Sequence, residues 1–169
     1  MQIDELPVGS FDVALSQFGV MFFDEPVRAF RNIRAHLAPG GRIAFACWQA
    51  NERNPWFFAP AIAEFVPAPP PLEPGKSATG PFALAEPEYT VAVLESAGFA
   101  DVRRTLHEIA VEAPHDAVVD DVQFELMGIP ADKLPGAKRA VDAHMSQFVL
   151  DDETSRFPLA FQIFEAANP

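Results

Sequence analysis

The stretch "LAPGGRIAFACWQ", Leu37 to Gln49, limits the possible folds more than any other part of the chain. It sets a Pro-Gly-Gly stop directly against a run that is continuously apolar from Ile43 to Trp48. A strand that reads apolar on both faces is normally covered on both faces, the habit of a parallel sheet in an α/β protein. The preceding residues agree. "DEPVRAFRNIRAHL" reads as a helix that Asp24 or Glu25 can cap, with Pro26 in its first turn and Pro39, Gly40 and Gly41 ending it. Val27, Phe30, Ile33 and Leu37 form one apolar stripe, and Arg28, Arg31 and Arg34 share the other side. Upstream, "SFDVALS" (Ser10 to Ser16) is short, apolar and bounded by Gly9, which predicts a buried strand. Together these residues predict a strand–helix–strand unit with a right-handed crossover.

The remainder is more broken. "NPWFFAPAIAEFV" has a helical look but is interrupted by Pro60. Pro67 to Pro81 is so dense in proline that helix and ladder are both blocked, so it reads as a semi-rigid surface segment or lid. Glu86 to Gly98 predicts a compact helix, with Pro87 in its first turn and Gly98 at its stop. Phe99 to Ala113 alternates like a strand. Helices follow from about Asp116 to Met127 and from near Pro135 to near Leu150, and Arg156 to Ala167 reads as a closing strand. The length of 169 residues suggests a single domain, 1–169.

A net charge of -12, with no Lys/Arg run to interrupt it, argues against nucleic-acid partners and anionic membranes. No apolar run is long enough to predict a membrane span, and "MQIDELPVG" lacks the apolar core of a signal peptide. The only cysteine, Cys47, lies inside the apolar run and reads as a core thiol, which fits a reducing, cytoplasmic setting. His36, His107, His115 and His144 are dispersed, with no pair at metal-ligand spacing, so no metal site is expected. Asp151, Asp152 and Glu153 read as a solvated loop. Asp120 and Asp121 sit near a predicted helix N-terminus, where acids are favourable in any case.

Three segments in order, "GSFDVALSQFGVMFF", "DEPVRAFRNIRAHLAPGGRIAFACWQ" and "GPFALAEPEYTVAVLESAGFADV", resemble the C-terminal half of a class I S-adenosylmethionine (SAM)-dependent methyltransferase of the small-molecule type. The resemblance implies an α/β fold: a partial Rossmann-like methyltransferase fold with a mixed sheet of about four strands flanked by helices. The family's strand order is 3-2-1-4-5-7-6, and the strands here correspond to its 4-5-7-6 portion. The family's glycine-rich G-x-G-x-G loop and its ribose-binding acid have no counterpart in this sequence.

What the resemblance implies about function is equally partial. The cofactor would be SAM and the substrate a small molecule. Ser16, Gln17, Phe18 and Gly19 would form one cofactor-binding wall of a crevice at the carboxyl ends of the strands, facing the methionine end. Phe18, Met21 and Phe22 would line it, or else pack the core beneath the helix. Trp48, Trp56, Phe57 and Phe58 fall near the family's substrate cap, or form a hydrophobic cluster under the proline segment. No catalytic residue is identified. Lacking the other wall, the isolated chain is expected to bind SAM weakly or not at all and to be inactive alone. Its ancestral start is expected to lie upstream of Met1. The alternative is a non-catalytic interaction or dimerisation protein derived from a methyltransferase. A homodimer is expected, because the strand Phe11 to Ser16 would be left with an unpaired edge.

Overall fold

The computed structural model describes residues 7–68, 71–73, 77–114, 124, 127–151 and 154–169. Its regular elements are β1 (Phe11–Gln17), α1 (Pro26–His36), β2 (Leu37–Trp48), α2 (Pro87–Ser96), β3 (Ala100–Pro114), α3 (Leu134–Met145) and β4 (Thr154–Ala167). The strands form a four-stranded sheet in the order β1-β2-β4-β3. That is the 4-5-7-6 portion of the methyltransferase sheet implied by the sequence. β1 and β2 are parallel, and β4 runs antiparallel to β2. The sheet is therefore mixed and open.

The chain packs as two compact units. The first comprises Met1–Asn51, Leu72–His107 and Ala160–Pro169; the second comprises Glu52–Pro71 and Glu108–Leu159. In the first unit, Ile43, Phe45 and Cys47 of β2 and Phe164 and Ala166 of β4 are buried in one cluster with Phe30 of α1 and Leu94 of α2. The stripe expected on α1 forms as far as Ile33: Phe30 is buried, and Val27 and Ile33 pack against the cluster; Leu37, buried as well, is the first residue of β2. The arginines opposite that stripe tie the helix down. Arg31 donates to the Ser96 carbonyl at the end of α2, and Arg34 to Asn168 Oδ1, each at 3.0 Å. Glu25 holds the N-cap position of α1, but its carboxylate pairs with Arg28 at 2.9 Å and makes no cap bond.

The Pro-Gly-Gly sequence does not stop the helix, which has already ended at His36; it lies inside β2, which begins at Leu37. Its two glycines are required for different reasons, Gly41 by close approach and Gly40 by a left-handed backbone. A Cβ at Gly41 would lie 2.8 Å from the Ala38 carbonyl oxygen and 3.1 and 3.2 Å from those of Phe11 and Asp12. Gly40 has φ +77°. The corner is clasped by Asn168, whose Nδ2 donates to the Leu37 and Ala38 carbonyls, both at 3.0 Å. The Asn168 backbone N–H donates to the Gly41 carbonyl, and its own carbonyl accepts from Gly40 N, both at 2.8 Å.

The second unit gathers Ile62, Phe124, Ile129, Ala137, Val141, Met145, Phe148 and Phe157. The helical look of residues 54–66 is not realised. Only a 3₁₀ turn forms, Ala59–Ile62, because Pro60 removes a backbone donor from the middle of the run. Trp56, Phe58 and Phe65 from this stretch pack on the cluster. The helix expected up to Leu150 ends at Met145 and passes into a 3₁₀ turn, Ser146–Phe148. Most of the helix expected at 116–127, with His115, Asp120 and Asp121, lies outside the described residues, as do Asp152, Glu153 and parts of the proline segment. Among the described residues no helix is long and apolar enough to cross a membrane.

Candidate functional site

β1 is not the buried strand that the sequence predicts: it pairs with β2 on one side only among the described residues, Ala14 and Ser16 are half-buried, and its other residues are exposed. It ends at Gln17, and the chain must then turn to enter α1. It turns through Phe18, which takes φ +55°, one of two non-glycine residues in the left-handed region among the described residues. That conformation costs an L-residue about 1–2 kcal/mol. The ring repays it by stacking on Trp48, with centroids 4.3 Å apart and planes 20° from parallel. The Phe18 backbone N–H donates to the Ala46 carbonyl at 3.1 Å, which prolongs the β1–β2 ladder by one bond. Gly19 follows, exposed, where a Cβ would stand 3.3 Å from Ser16 Oγ. Ser16, Gln17, Phe18 and Gly19 are thus brought together at the carboxyl ends of two parallel strands. This is the end of an open α/β sheet where ligands bind.

Met21 and Phe22 do not extend this wall together. Met21 is buried in the core of the first unit, whereas Phe22 is 57% exposed. Both lie on the 3₁₀ turn Val20–Phe22, and Gly80 N, near the end of the proline segment, donates to the Met21 carbonyl at 3.3 Å.

Three residues that the sequence reading did not select complete the neighbourhood. Phe161 of β4 lies opposite Trp48 in the register and meets Phe18 edge-on at 6.0 Å. His107 of β3 stacks on Phe161 at 5.0 Å and 13°. Phe18, Trp48, Phe161 and His107 therefore form a continuous aromatic row along the carboxyl end of β2. Beneath it, Gln49 is buried and donates through Nε2 to the carbonyls of His107 at 3.2 Å and Phe161 at 2.8 Å. Its backbone N–H donates to the Ala160 carbonyl at 3.0 Å. One side chain thus fixes the spacing of the strands that carry the row. The available signal was a polar residue closing an apolar strand, "FACWQ". His107 and Phe161 could be paired with it only through the sheet order.

The other candidates fall elsewhere. Cys47 is fully buried, its thiol donates to the Leu84 carbonyl at 3.5 Å, and burial pushes its pKa up to about 12, so it is a core thiol and not a nucleophile. His144 shares a 2.7 Å hydrogen bond with the Pro55 carbonyl in the second unit. No group of His, Cys, Asp and Glu suited to a metal ion occurs among the described residues. The row can hold a flat or cationic apolar group against ring faces and edges. Ser16 and Gln17 add hydroxyl and amide groups beside it.

Residues 1–45 match the family model described as a methyltransferase domain. No curated protein matches the chain. Among solved structures, a methyltransferase candidate from Bacillus halodurans C-125 is similar over 100% of this chain and 68% of its own, at 14% identity and a TM-score of 0.52. The YcgJ protein of Bacillus subtilis is similar over 96% of this chain and 66% of its own, also at 14% identity and 0.52. Phosphoethanolamine N-methyltransferase 2 of Haemonchus contortus, solved with SAM, is similar over 98% of this chain and 35% of its own, at 14% identity and 0.44. The chain spans about two thirds of the length of the first two and about a third of the last. The fold is methyltransferase-like.

Proposed function

We propose that this chain supplies the C-terminal part of a SAM-dependent methyltransferase acting on a small molecule, with Ser16 to Gly19 as one wall of the cofactor crevice. One observation carries this reading: the Phe18 turn at the carboxyl ends of parallel β1 and β2, held by the Ala46 carbonyl and the Trp48 ring. When bound, SAM supplies an already activated methyl group, so the protein's task is chiefly to position it. Ser16 and Gln17 suit the polar methionine end, and the rings of Phe18 and Trp48 suit the cationic sulfonium.

The fit is to one wall only. None of Ser16 to Gly19 is a carboxylate that could accept from ribose hydroxyls, and the sequence has no glycine-rich loop to bring backbone against the cofactor. Each missing hydrogen bond to a charged group is worth roughly 1.5–3 kcal/mol, so several of them move a micromolar site past millimolar. The chain alone therefore does not bind SAM tightly. Titration calorimetry tests this. No micromolar SAM binding is expected for the chain alone; fusing a glycine-rich methyltransferase half ahead of β1 should restore it, and Phe18→Ala in the fusion should weaken it. Micromolar affinity of the chain alone would overturn the one-wall reading. The small-molecule substrate and the cytoplasmic setting belong to the same proposal.

A second reading is an interaction protein that keeps the fold without the reaction. The observation in its favour is the exposure of Val8, Phe11, Val13, Leu15 and Phe22, all within or beside β1.

A further inference from the structure

We infer that the row Phe18, Trp48, Phe161 and His107 is a platform for a planar aromatic small molecule that carries an N–H or O–H donor and no negative charge. Calling this molecule the methyl acceptor rests on the methyltransferase reading; the platform itself does not. The row runs across the sheet from the turn after β1 to β3. Its far rings, Phe161 of β4 and His107 of β3, therefore lie away from β1, beside which a glycine-rich half would sit.

Rings a few positions away are sealed. Phe45 and Phe164, opposite each other on β2 and β4, are 1% and 0% exposed. Three positions further along β2, Trp48 again faces a ring of β4, Phe161, but on the other side of the sheet, because successive side chains alternate. Phe18, Trp48, Phe161 and His107 are all half-buried, so part of each ring meets solvent. They form two stacked pairs, Phe18 on Trp48 and His107 on Phe161, which meet edge-on, Phe18 against Phe161 at 6.0 Å. Stacking and edge-to-face contact are the two geometries that aromatic rings prefer. A flat guest is offered both, whereas an aliphatic guest of the same size gains area alone. Gln49 keeps the platform in shape before a guest arrives, by holding the backbone carbonyls of His107 and Phe161 together.

The donor is called for by Asn51. Its Oδ1 is buried without a hydrogen-bond partner among the described residues. Asn51 stands two residues beyond Gln49. Their backbones therefore lie within about 7 Å of each other. A buried acceptor left unmatched is costly, and a ligand N–H or O–H satisfies it. Groups of that kind are also the ones a methyl acceptor offers. Negative charge is disfavoured twice. The faces of the rings are the negative part of the aromatic quadrupole, and the chain carries a net charge of -12.

The probe is indole, titrated into the chain without cofactor and followed by calorimetry and NMR. Binding with a Kd at or below about 1 mM is expected. Cyclooctanol, as large but not flat, and indole carboxylate, flat but anionic, should bind at least about tenfold more weakly. N-methylindole, which lacks the donor, should bind as weakly to the wild type as indole does to Asn51→Ala. His107→Leu and Phe161→Leu should each weaken indole about fivefold. Tyr89→Leu, which removes an exposed ring from α2, should change nothing. In the wild type, indole should shift the imidazole signals of His107 and leave those of His36, at the far end of β2, in place. That shift decides alone if thermal transitions show that the variants do not fold. No binding at millimolar indole, equal affinity for cyclooctanol or N-methylindole, full affinity in His107→Leu, or an unmoved His107 signal would each overturn the proposal. Failure of the fused protein to bind SAM, with indole still bound, would remove only the acceptor role.

Discussion

In the unit that contains β1 and β2, the fully buried Phe45 and Phe164 sit opposite each other on adjacent strands, with centroids 5.6 Å apart. Phe30 of α1 closes over Phe45 at 5.3 Å. In the unit that contains α3, Phe148 sits on a 3₁₀ turn and meets Phe157 at 5.5 Å, and Phe65 lies against Gly136. Both units bury phenylalanine, but the first mounts its rings on a hydrogen-bonded ladder and the second mounts many of its rings on turns. The difference is in how far the surroundings can yield. A ladder fixes the spacing of its side chains, whereas a turn can slump into a gap. The units differ in charge as well: the first carries 11 acidic and 7 basic residues, the second 13 and 5.

The sharpest test is a pair of ring deletions. Phe164→Ala should cost about 3–5 kcal/mol, because the strands around it cannot close the cavity. Phe148→Ala should cost less, since its turn can relax. Chemical denaturation of both variants measures this, and equal losses would erase the distinction. A smaller effect of the same kind is expected at glycines. Gly41→Ala drives a Cβ into three backbone carbonyls, the nearest 2.8 Å away, and should cost about 1–3 kcal/mol. Gly136→Ala meets only the Phe65 ring, at 2.7 Å, which can swing aside, so a smaller shift in melting temperature is expected.

The least effect at neutral pH should come from Cys47, which offers a readout confined to the first unit. Burial raises its folded-state pKa to about 12, above the ordinary thiol value, so folding favours the neutral thiol. Its contribution to stability is complete below the unfolded pKa of about 8.5 and is lost as pH rises toward the folded value of about 12. Cys47→Ala should therefore lose less stability than the wild type between those limits, as followed by thermal melts against pH. Matching profiles would show that the thiol is not held neutral.

The same contrast explains what could be read from the sequence. α1 and β2 were legible because an amphipathic helix and a buried strand leave periods in the sequence, whereas the sheet order was implied only by the resemblance of three segments in order. The Ser16 to Gly19 turn was legible as the end of a strand, but the apolar run of that strand suggested burial, and none of its residues is buried. The aromatic row was not, since His107 and Phe161 lie far from Phe18 in sequence and meet it only through the order β1-β2-β4-β3. The second unit resisted reading because Pro60 breaks its period and the rings that remain have no spacing to follow. Gly41 was read as a helix stop, although its role is to let β2 pass close to the carbonyls of β1.

The position of β4 has a consequence in time. It follows β3 in the sequence yet lies between β2 and β3 in the sheet. During synthesis at about 5–20 residues per second, β3 leaves the ribosome before the strand that joins it to the sheet has been made. Until β4 arrives, β2 has an open side, and the Leu37 carbonyl waits for Asn168, 131 residues downstream. Pairing over such separations is slow to nucleate. The first unit can therefore close only late in translation, and a ribosome stalled before β4 would hold a nascent chain whose most apolar strand is open to aggregation or to a chaperone.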